Sequence, residues 1–523
     1  MKVLVANRGE IACRILRTLR DMGIPSVAVY TEADRDAPHV DLADEAAALH
    51  APGTGASVPG DDAAARGALA GTSLSGYLDG ASIVAAARAR GATALHPGYG
   101  FLSQSAAFAE ACEAAGIVFI GPSPAAMRQL GDKRASRRTA EECGIPVIPG
   151  ASVVESEAEA ASAAAAIGFP VLLKAAGGGG GKGMRRVDRA TDLKDAVAAA
   201  RREAEAAFAD GRLLLERLIT PARHVEVQVL GDGRDAVALG ERDCSLQRRY
   251  QKVIEEAPAP GLPDATRRGL LDDAAKLARH AGYRSAGTVE FLVDPDGRRY
   301  FLEVNTRLQV EHPVTELLTG LDIVKAQVDL ARGGGLPPVP EPRGHAIEAR
   351  LNAEDPYRGF LPSSGPILHL EMPQHPNVRV DSGLRQGMTI RPDFDPLLAK
   401  IIAWGQDREQ ARRRLIEALR ETMILGIATN VAFLIQVLES EPFRRGEMHT
   451  TLLEQTSWPE PPMPEEAAAA ARRALERPAP RASASGAGSD GAGGAGDGGD
   501  ASAGGDTDRF SPWGGPADRP FRP

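Results

Sequence analysis

Glu290 and Glu303 are the residues whose types and spacing point most directly to chemistry. The strand-like runs GTVEFLV and RYFLEVN flank Asp294-Pro295-Asp296-Gly297, and an Asp-Gly pair favours a two-residue type I′ hairpin turn. With Asp296 and Gly297 as that turn, Pro295 pairs with Arg298, Glu290 falls opposite Glu303, and Thr288 falls opposite Asn305. Like charges directly across a sheet are destabilising, so this register requires a cation. The oxygens of Glu290, Glu303 and Asn305 suit Mg²⁺ or Mn²⁺, with nucleotide phosphates completing the shell. The plainer alternative leaves both glutamates facing solvent on an exposed sheet.

Three further segments carry candidate chemistry. Five consecutive glycines, Gly177–Gly181, offer backbone N–H groups for close approach to phosphate; the alternative is a flexible linker. The run is not a Walker A loop, because Ala176 and Gly183 stand where that motif needs Gly and Ser or Thr. Lys174 precedes it on the strand VLLKA, either as a fixed charge for phosphates or as a solvated edge residue. The run RDCSLQRRYQKVIEEAPAP mixes cations and carboxylates densely, a pattern that by itself reads as a solvated charged face. Finally, Arg307, Gln309 and Glu311 share side-chain parity with Glu303 and Asn305 if the chain stays extended. That would set a cation and a general base beside the metal, an arrangement suited to activating a small anion next to a triphosphate.

The elements that must position these groups follow from the pattern along the chain. KVLVA, a helical repeat through EIACRILRTLRDMG with Gly23 as its cap, and the strand Ser26–Tyr30 form a β-α-β opening, which predicts a parallel sheet. No G-x-G-x-x-G accompanies it, so a dinucleotide site is not supported. Residues 51–76, rich in Gly, Ala, Ser and Asp, read as a surface loop. Residues 151–217 read as a small module of helix, strand, glycine run, helix and strand. Arg223–Leu230 alternates, with His224, Glu226 and Gln228 on one face and Val225, Val227 and Val229 on the other. An Ala-rich helix is expected over 464–477, and 479–507 has the composition of a disordered segment.

Composition narrows the classes. At 523 residues the chain is too long for one core. A net charge of -9 argues against a nucleic-acid partner. No apolar run reaches the ~20 residues of a membrane span, and MKVLVANRGE is no signal peptide. Four scattered cysteines exclude the usual zinc spacings and a disulfide framework, so reduced thiols and a cytoplasmic location are expected.

Taken together and in order, VANRGEIACRILR, HPGYGFLS, FIGPS, GDK, LLKAAGGGGGKGMR, RHVEVQVLGD, ERDCSLQRRYQKVIEEAPAP, AGTVEFL, FLEVNTRLQVEHPVTEL, GHAIEARLNAEDP and FLPSSG resemble the biotin carboxylase family over roughly residues 1–455. The resemblance implies a multidomain protein of α/β and α+β class. A Rossmann-like N-terminal domain (1–120) and a connector (121–147) lead to an ATP-grasp lid (148–218) and core (219–335). A C-terminal biotin carboxylase domain (336–460) and a helix with a Gly/Ala/Ser-rich tail (461–523) follow.

Carried over position by position, the resemblance implies that Lys133, Lys174, Gly180, Gly181, Glu216, Arg217, Leu218, Ile219, His224 and Tyr250 contact ATP, together with the metal-holding Glu290 and Glu303. It implies two Mg²⁺ or Mn²⁺ ions held by Glu290, Glu303 and Asn305. Lys252, Arg307, Gln309 and Val310 would bind bicarbonate, Glu311 would be the general base, and Arg350 and Tyr99 would meet biotin. Gln104 and Ser105 stand where the similar F-L-S-E-N segment has Glu and Asn, and Tyr250 where His is common.

No lysine follows Lys400, so biotin is expected on a separate carrier protein and not on this chain. A biotin carboxyl carrier protein, a carboxyltransferase subunit and a second copy of the chain are the expected partners, within an acetyl-CoA or other acyl-CoA carboxylase. The alternatives are another ATP-grasp ligase, of carboxylate–amine or carbamoyl-phosphate type, and a silent scaffold. The scaffold reading is weakened by the presence of Lys252, Arg307, Glu311 and Arg350.

Overall fold

A computed structural model describes residues 1–49, 74–154, 156–175, 184–208, 211–462 and 465–476. The chain opens with a five-stranded parallel sheet made of β1 (Val3–Val5), β2 (Ser26–Tyr30), β3 (Glu45–Ala48), β4 (Ala94–His96) and β5 (Val118–Phe119), in the order β3-β2-β1-β4-β5. The helix Gly9–Asp21 buries Ile11, Ile15 and Leu19 at the expected spacing. It ends at Gly23, whose φ of +64° lets its N–H return to the carbonyl of Arg20.

A second sheet is small and antiparallel: β6 (Gly150–Val154), β7 (Val171–Ala175), β8 (Arg185–Val187) and β9 (Leu213–Arg217), ordered β6-β9-β7-β8. Helices Glu157–Ile167 and Leu193–Phe208 pack on it over a core of Val171, Leu173, Val197, Leu213 and Leu215.

The third sheet positions the chemistry. β10 (Arg223–Asp232), β11 (Ala236–Arg248), β12 (Gln251–Ala257), β13 (Arg284–Val293), β14 (Arg299–Asn305) and β15 (His345–Asn352) join the strands Leu397–Gly405 and Val378–Ser382 in one antiparallel sheet. Because β12 pairs with β15, this sheet runs across the 335/336 division drawn from the sequence. The β10 alternation splits as its pattern predicts: Val225, Val227 and Val229 enter a core with Leu270, Leu277 and Phe291. The opposite face is buried as well, so His224, Glu226 and Gln228 look into the site and not into water.

Three local expectations are corrected. The hairpin turn has three residues, not two: Asp294 N–H donates to the Arg298 carbonyl and Gly297 N–H to that of Asp294. Pro295, with no N–H to donate, suits the second position of a type I turn, and Gly297 takes the left-handed position at φ +77°. This offsets the register by one, and a bulge at Leu302 shifts it back, so Glu290 does face Glu303 and Thr288 does face Asn305. Next, the chain does not stay extended after Asn305: residues 306–311 turn into the helix His312–Thr319. Lastly, the run RDCSLQRRYQKVIEEAPAP is no solvated face, since Arg242, Asp243, Ser245, Glu255 and Glu256 are buried on β11 and β12.

Of the expected loop 51–76, residues 51–73 lie outside the described residues, whereas Ser75 and Gly76 are buried. The Ala-rich helix spans Glu465–Glu476, and residues 479–507 lie outside the described residues. All four cysteines are free and buried.

Candidate active site

Cross-strand register lines up Arg242 on β11, Glu226 on β10, Glu290 on β13 and Glu303 on β14 as one row across four strands. Gln228, Thr288 and Asn305 form the next row on the same face. Three carboxylates in adjacent positions demand cations. Arg242, fully buried, donates to Glu226 Oε1 at 2.6 Å and also to Gln228, Thr288, Gln309 and Thr315. Lys252 Nζ, from β12, lies 2.5 Å from Glu226, 2.9 Å from Glu290 and 2.6 Å from Glu311.

The electrostatics follow from that packing. Burial works against the Lys252 ammonium, but Glu226, Glu290 and Glu311 outweigh it and hold its pKa well above the ordinary lysine value. Burial likewise opposes ionisation of Glu311, yet Lys252 and Arg350 hold its carboxyl well below the usual range. Arg350 NH2 donates to Glu311 Oε2 at 2.9 Å, and its Nε donates to Glu255 Oε1 at 2.5 Å. Glu311 is therefore an ionised base between two cations.

Glu290 accepts from Lys252, Asn305 and Gln309 on one oxygen, and His224 Nε2 lies 3.0 Å from the other. Burial disfavours its charge, but Lys252 and His224 more than compensate and its pKa is held well down. Glu303 is the opposite case. Burial and the neighbouring Glu290 charge raise its pKa, and among the described residues no side chain bonds to it or forms an ion pair with it. A carboxylate beside Glu290 with no ion-pair partner among the described residues, in an oxygen-rich donor set, fits a divalent cation. Asn305 Oδ1 accepts from Arg307 NH2 at 3.2 Å, so that amide oxygen already has a donor. Two other groups of close ligand atoms, His224–Glu226–Glu290 and Glu226–Cys244–Glu311, surround the Lys252 ammonium.

The other sequence-derived residues are distributed as follows. Gln309 donates to Glu290, whereas the carbonyl of Val310 accepts from Lys400 Nζ at 2.9 Å. Arg307 Nε donates to Gln104 Oε1 at 2.8 Å. Tyr99 OH donates to Glu10, whose other carboxyl oxygen lies 3.3 Å from Lys400 Nζ. Lys174 and Glu216 pair with each other at 2.5 Å across β7 and β9. Arg217 N–H and Leu218 N–H donate to the carbonyls of Pro149 and Pro170, and half-buried Ile219 continues this link toward β10. Lys133 begins the helix Lys133–Glu142, exposed, and its charge reaches Glu303. Tyr250 occupies the tip of the β11–β12 hairpin, 58% exposed at φ +65°, and bonds to none of the cluster residues. Gly180 and Gly181 lie outside the described residues.

Arg242, Glu226, Glu255, Glu348 and Lys400 complete the network and were not singled out as site residues from the sequence. Their signal was there in part: Glu226 belongs to the alternating polar face of β10, and Arg242 and Glu255 bracket Lys252 in the charged run. Glu348 faces Glu255 across β12 and β15, wholly buried with both carboxyl oxygens unbonded, and burial raises its pKa far above the carboxylate range.

Comparison with known proteins places this arrangement. Family models match along the chain as biotin carboxylase N-terminal domain (residues 1–127), carbamoyl-phosphate synthase L chain ATP-binding domain (132–339) and biotin carboxylase C-terminal domain (348–455). The chain is 44% identical over 459 residues to the biotin carboxylase of Nostoc sp., covering 87% of this chain and 98% of that one. The chain belongs to the biotin carboxylase family. It is also 47% identical over 461 residues to the α subunit of mitochondrial methylcrotonoyl-CoA carboxylase from Oryza sativa, 87% of this chain but 60% of that subunit. This biotin carboxylase family member thus spans about 60% of the length of that relative. Among solved structures, the biotin carboxylase domain dimer of Hydrogenobacter thermophilus 2-oxoglutarate carboxylase, in complex with MgADP, ADP and bicarbonate, is similar at a TM-score of 0.80 and 42% identity, covering 87% and 97% of the two chains. Among the described residues no helix is long and apolar enough to cross a membrane.

Proposed function

We propose that this chain uses ATP to carboxylate biotin held on a biotinylated carrier, with bicarbonate as the carbon source. The observation that carries the reading is Glu311, an ionised base gripped by Lys252 and Arg350 at the start of the helix His312–Thr319 and linked through Lys252 to Glu290, on the hairpin that also presents Glu303. Lys252, Arg307, Gln309 and Val310 hold bicarbonate. As the anion takes up the positive charge of Lys252, Glu311 loses part of its compensation and becomes a stronger base. Glu311 accepts the bicarbonate proton, and the oxyanion attacks the γ-phosphate of ATP, releasing ADP and giving carboxyphosphate. Carboxyphosphate breaks its C–O bond to CO₂ and phosphate, the released phosphate takes the proton of the biotin ureido N–H, and that nitrogen adds to CO₂. Arg350 stabilises the enolate form of the ureido group, with Tyr99 at the wall of its pocket.

Lys133, Lys174, Gly180, Gly181, Glu216, Arg217, Leu218, Ile219, His224 and Tyr250 contact the nucleotide. Glu290, Glu303 and Asn305 would hold two Mg²⁺ or Mn²⁺ ions, which supply neutralisation of phosphate charge. Opening the Lys174–Glu216 pair frees both side chains for ATP, and closure of the 148–218 module excludes water from the labile anhydride.

The reaction is the first half of an acyl-CoA carboxylase cycle, completed by a carboxyltransferase partner in the cytoplasm. Similarity to methylcrotonoyl-CoA carboxylase α supports a CoA thioester as final acceptor, acetyl-CoA being one member of that class. The dimeric relative supports a homodimer. ADP release that requires bicarbonate and rises with free biotin tests the reading; ADP release driven instead by ammonia or an amino acid would favour the carbamoyl-phosphate or carboxylate–amine alternative.

A further inference from the structure

Arg307 differs from Lys252 and Arg350, the two cations that grip Glu311. Lys252 faces three carboxylates and Arg350 two, but Arg307 meets only neutral acceptors. Its Nε donates to Gln104 Oε1 at 2.8 Å, NH1 to the Leu308 carbonyl at 3.1 Å and NH2 to Asn305 Oδ1 at 3.2 Å. Among the described residues no carboxylate lies within ion-pair distance of it.

Gln104 reaches Arg307 from 203 positions away in the chain, across the contact between the N-terminal sheet and the third sheet. It stands on a tied-down turn: Ser103 N–H donates to Gly100, Ser105 N–H donates to Leu102, and Ser105 Oγ caps the helix Ala106–Ala114. A side chain on so short and bonded a segment can fix the guanidinium plane. A carboxamide does so without cancelling the charge, whereas a carboxylate, usual in the similar segment of the family, would form an ion pair and compete with an incoming anion.

We propose that Gln104 is a positioning residue that holds Arg307 in place, without a carboxylate partner in direct contact among the described residues, for the anionic substrate. The inference rests on the proposed bicarbonate role of Arg307. By binding Nε, Gln104 fixes the guanidinium plane, while the terminal nitrogens meet only the neutral oxygens of Leu308 and Asn305, which an incoming anion can outbid.

The test is steady-state bicarbonate-dependent ATP hydrolysis by the full chain, with KM for bicarbonate, KM for ATP and kcat measured separately, and with the melting temperature followed. Gln104→Glu is expected to raise the KM for bicarbonate about fivefold or more while kcat stays within about twofold and the KM for ATP is unchanged. Gln104→Met, uncharged and of similar length but without the acceptor, is expected to raise it about threefold, and it carries the test should Gln104→Glu not fold. An unchanged KM for bicarbonate in the Gln104 variants, beside a large rise in Arg307→Ala, overturns the role of Gln104 and leaves Arg307 assigned. An unchanged KM in Arg307→Ala overturns both. A fall in kcat and melting temperature with no change in either KM would mark Gln104 as merely structural.

Discussion

Glu290 and Glu303 face one another across β13 and β14, yet among the described residues only Glu290 forms ion pairs with protein side chains. Lys252 and His224 hold Glu290 ionised, while burial and Glu290 itself push the pKa of Glu303 up. The two substitutions to glutamine should therefore act in opposite directions on the metal-free protein. Glu290→Gln removes the carboxylate facing His224 and one of the three around Lys252, and is expected to cost roughly 3 kcal/mol of stability. Glu303→Gln relieves a repulsion and is expected to be neutral or to stabilise by up to about 1 kcal/mol, while raising the Mg²⁺ concentration needed for ATP hydrolysis at least about tenfold. Chemical denaturation in a chelator and Mg²⁺ titration of activity read the two effects; equal destabilisation by both would refute the asymmetry.

Glu311→Gln should lower bicarbonate-dependent ADP formation by at least about a hundredfold. Nucleotide affinity, followed by calorimetric titration of ATP, should change less than about threefold, because no bond from Glu311 reaches Lys174, Glu216 or His224. Comparable loss of turnover and of ATP binding would count against its role as base.

Arg242→Met should be among the most damaging single changes in the fold. It removes donors to Glu226, Gln228, Thr288, Gln309 and Thr315 at once and leaves Glu226 with Lys252 alone. A loss of roughly 3–5 kcal/mol is expected from equilibrium denaturation; a loss below about 1 kcal/mol would show that the network tolerates its missing centre.

Stability should fall as pH rises toward neutrality through Glu10 and Glu255. Burial, opposed by Lys400 for Glu10 and by Arg350 for Glu255, lifts each to about 7 from an ordinary 4.5. A folded-state pKa above the unfolded one means tighter proton binding in the folded protein. The stability these groups contribute is thus complete below about pH 4 and lost as pH climbs through 7. Glu10→Gln should flatten the decline between pH 5 and pH 8 by up to roughly 3 kcal/mol, measured by denaturation at several pH values. An undiminished slope would mean that Glu10 does not titrate there.

How much of this was legible in the residues can be judged from single cases. The Glu290–Glu303 register could be read because a hairpin is local, although it came out correctly through two departures that cancel: a three-residue turn and a bulge at Leu302. The hydrophobic faces of the helix Gly9–Asp21 and of β10 followed from their periodicity alone. The ordered segments from VANRGE to FLPSSG were sufficient for the family, and the matching domain models agree.

What only the tertiary structure decided is the state of the charges. Taken locally, RDCSLQRRYQKVIEEAPAP is a polar stretch that water would solvate; outside its exposed hairpin tip it is buried because β10, β13, β15 and the turn before His312 each bring a countercharge from far along the chain. The same holds for Gln104 and Arg307, whose contact joins two sheets. Periodicity and turn chemistry act over a few residues, whereas the free energy of a buried charge depends on whichever groups folding packs around it.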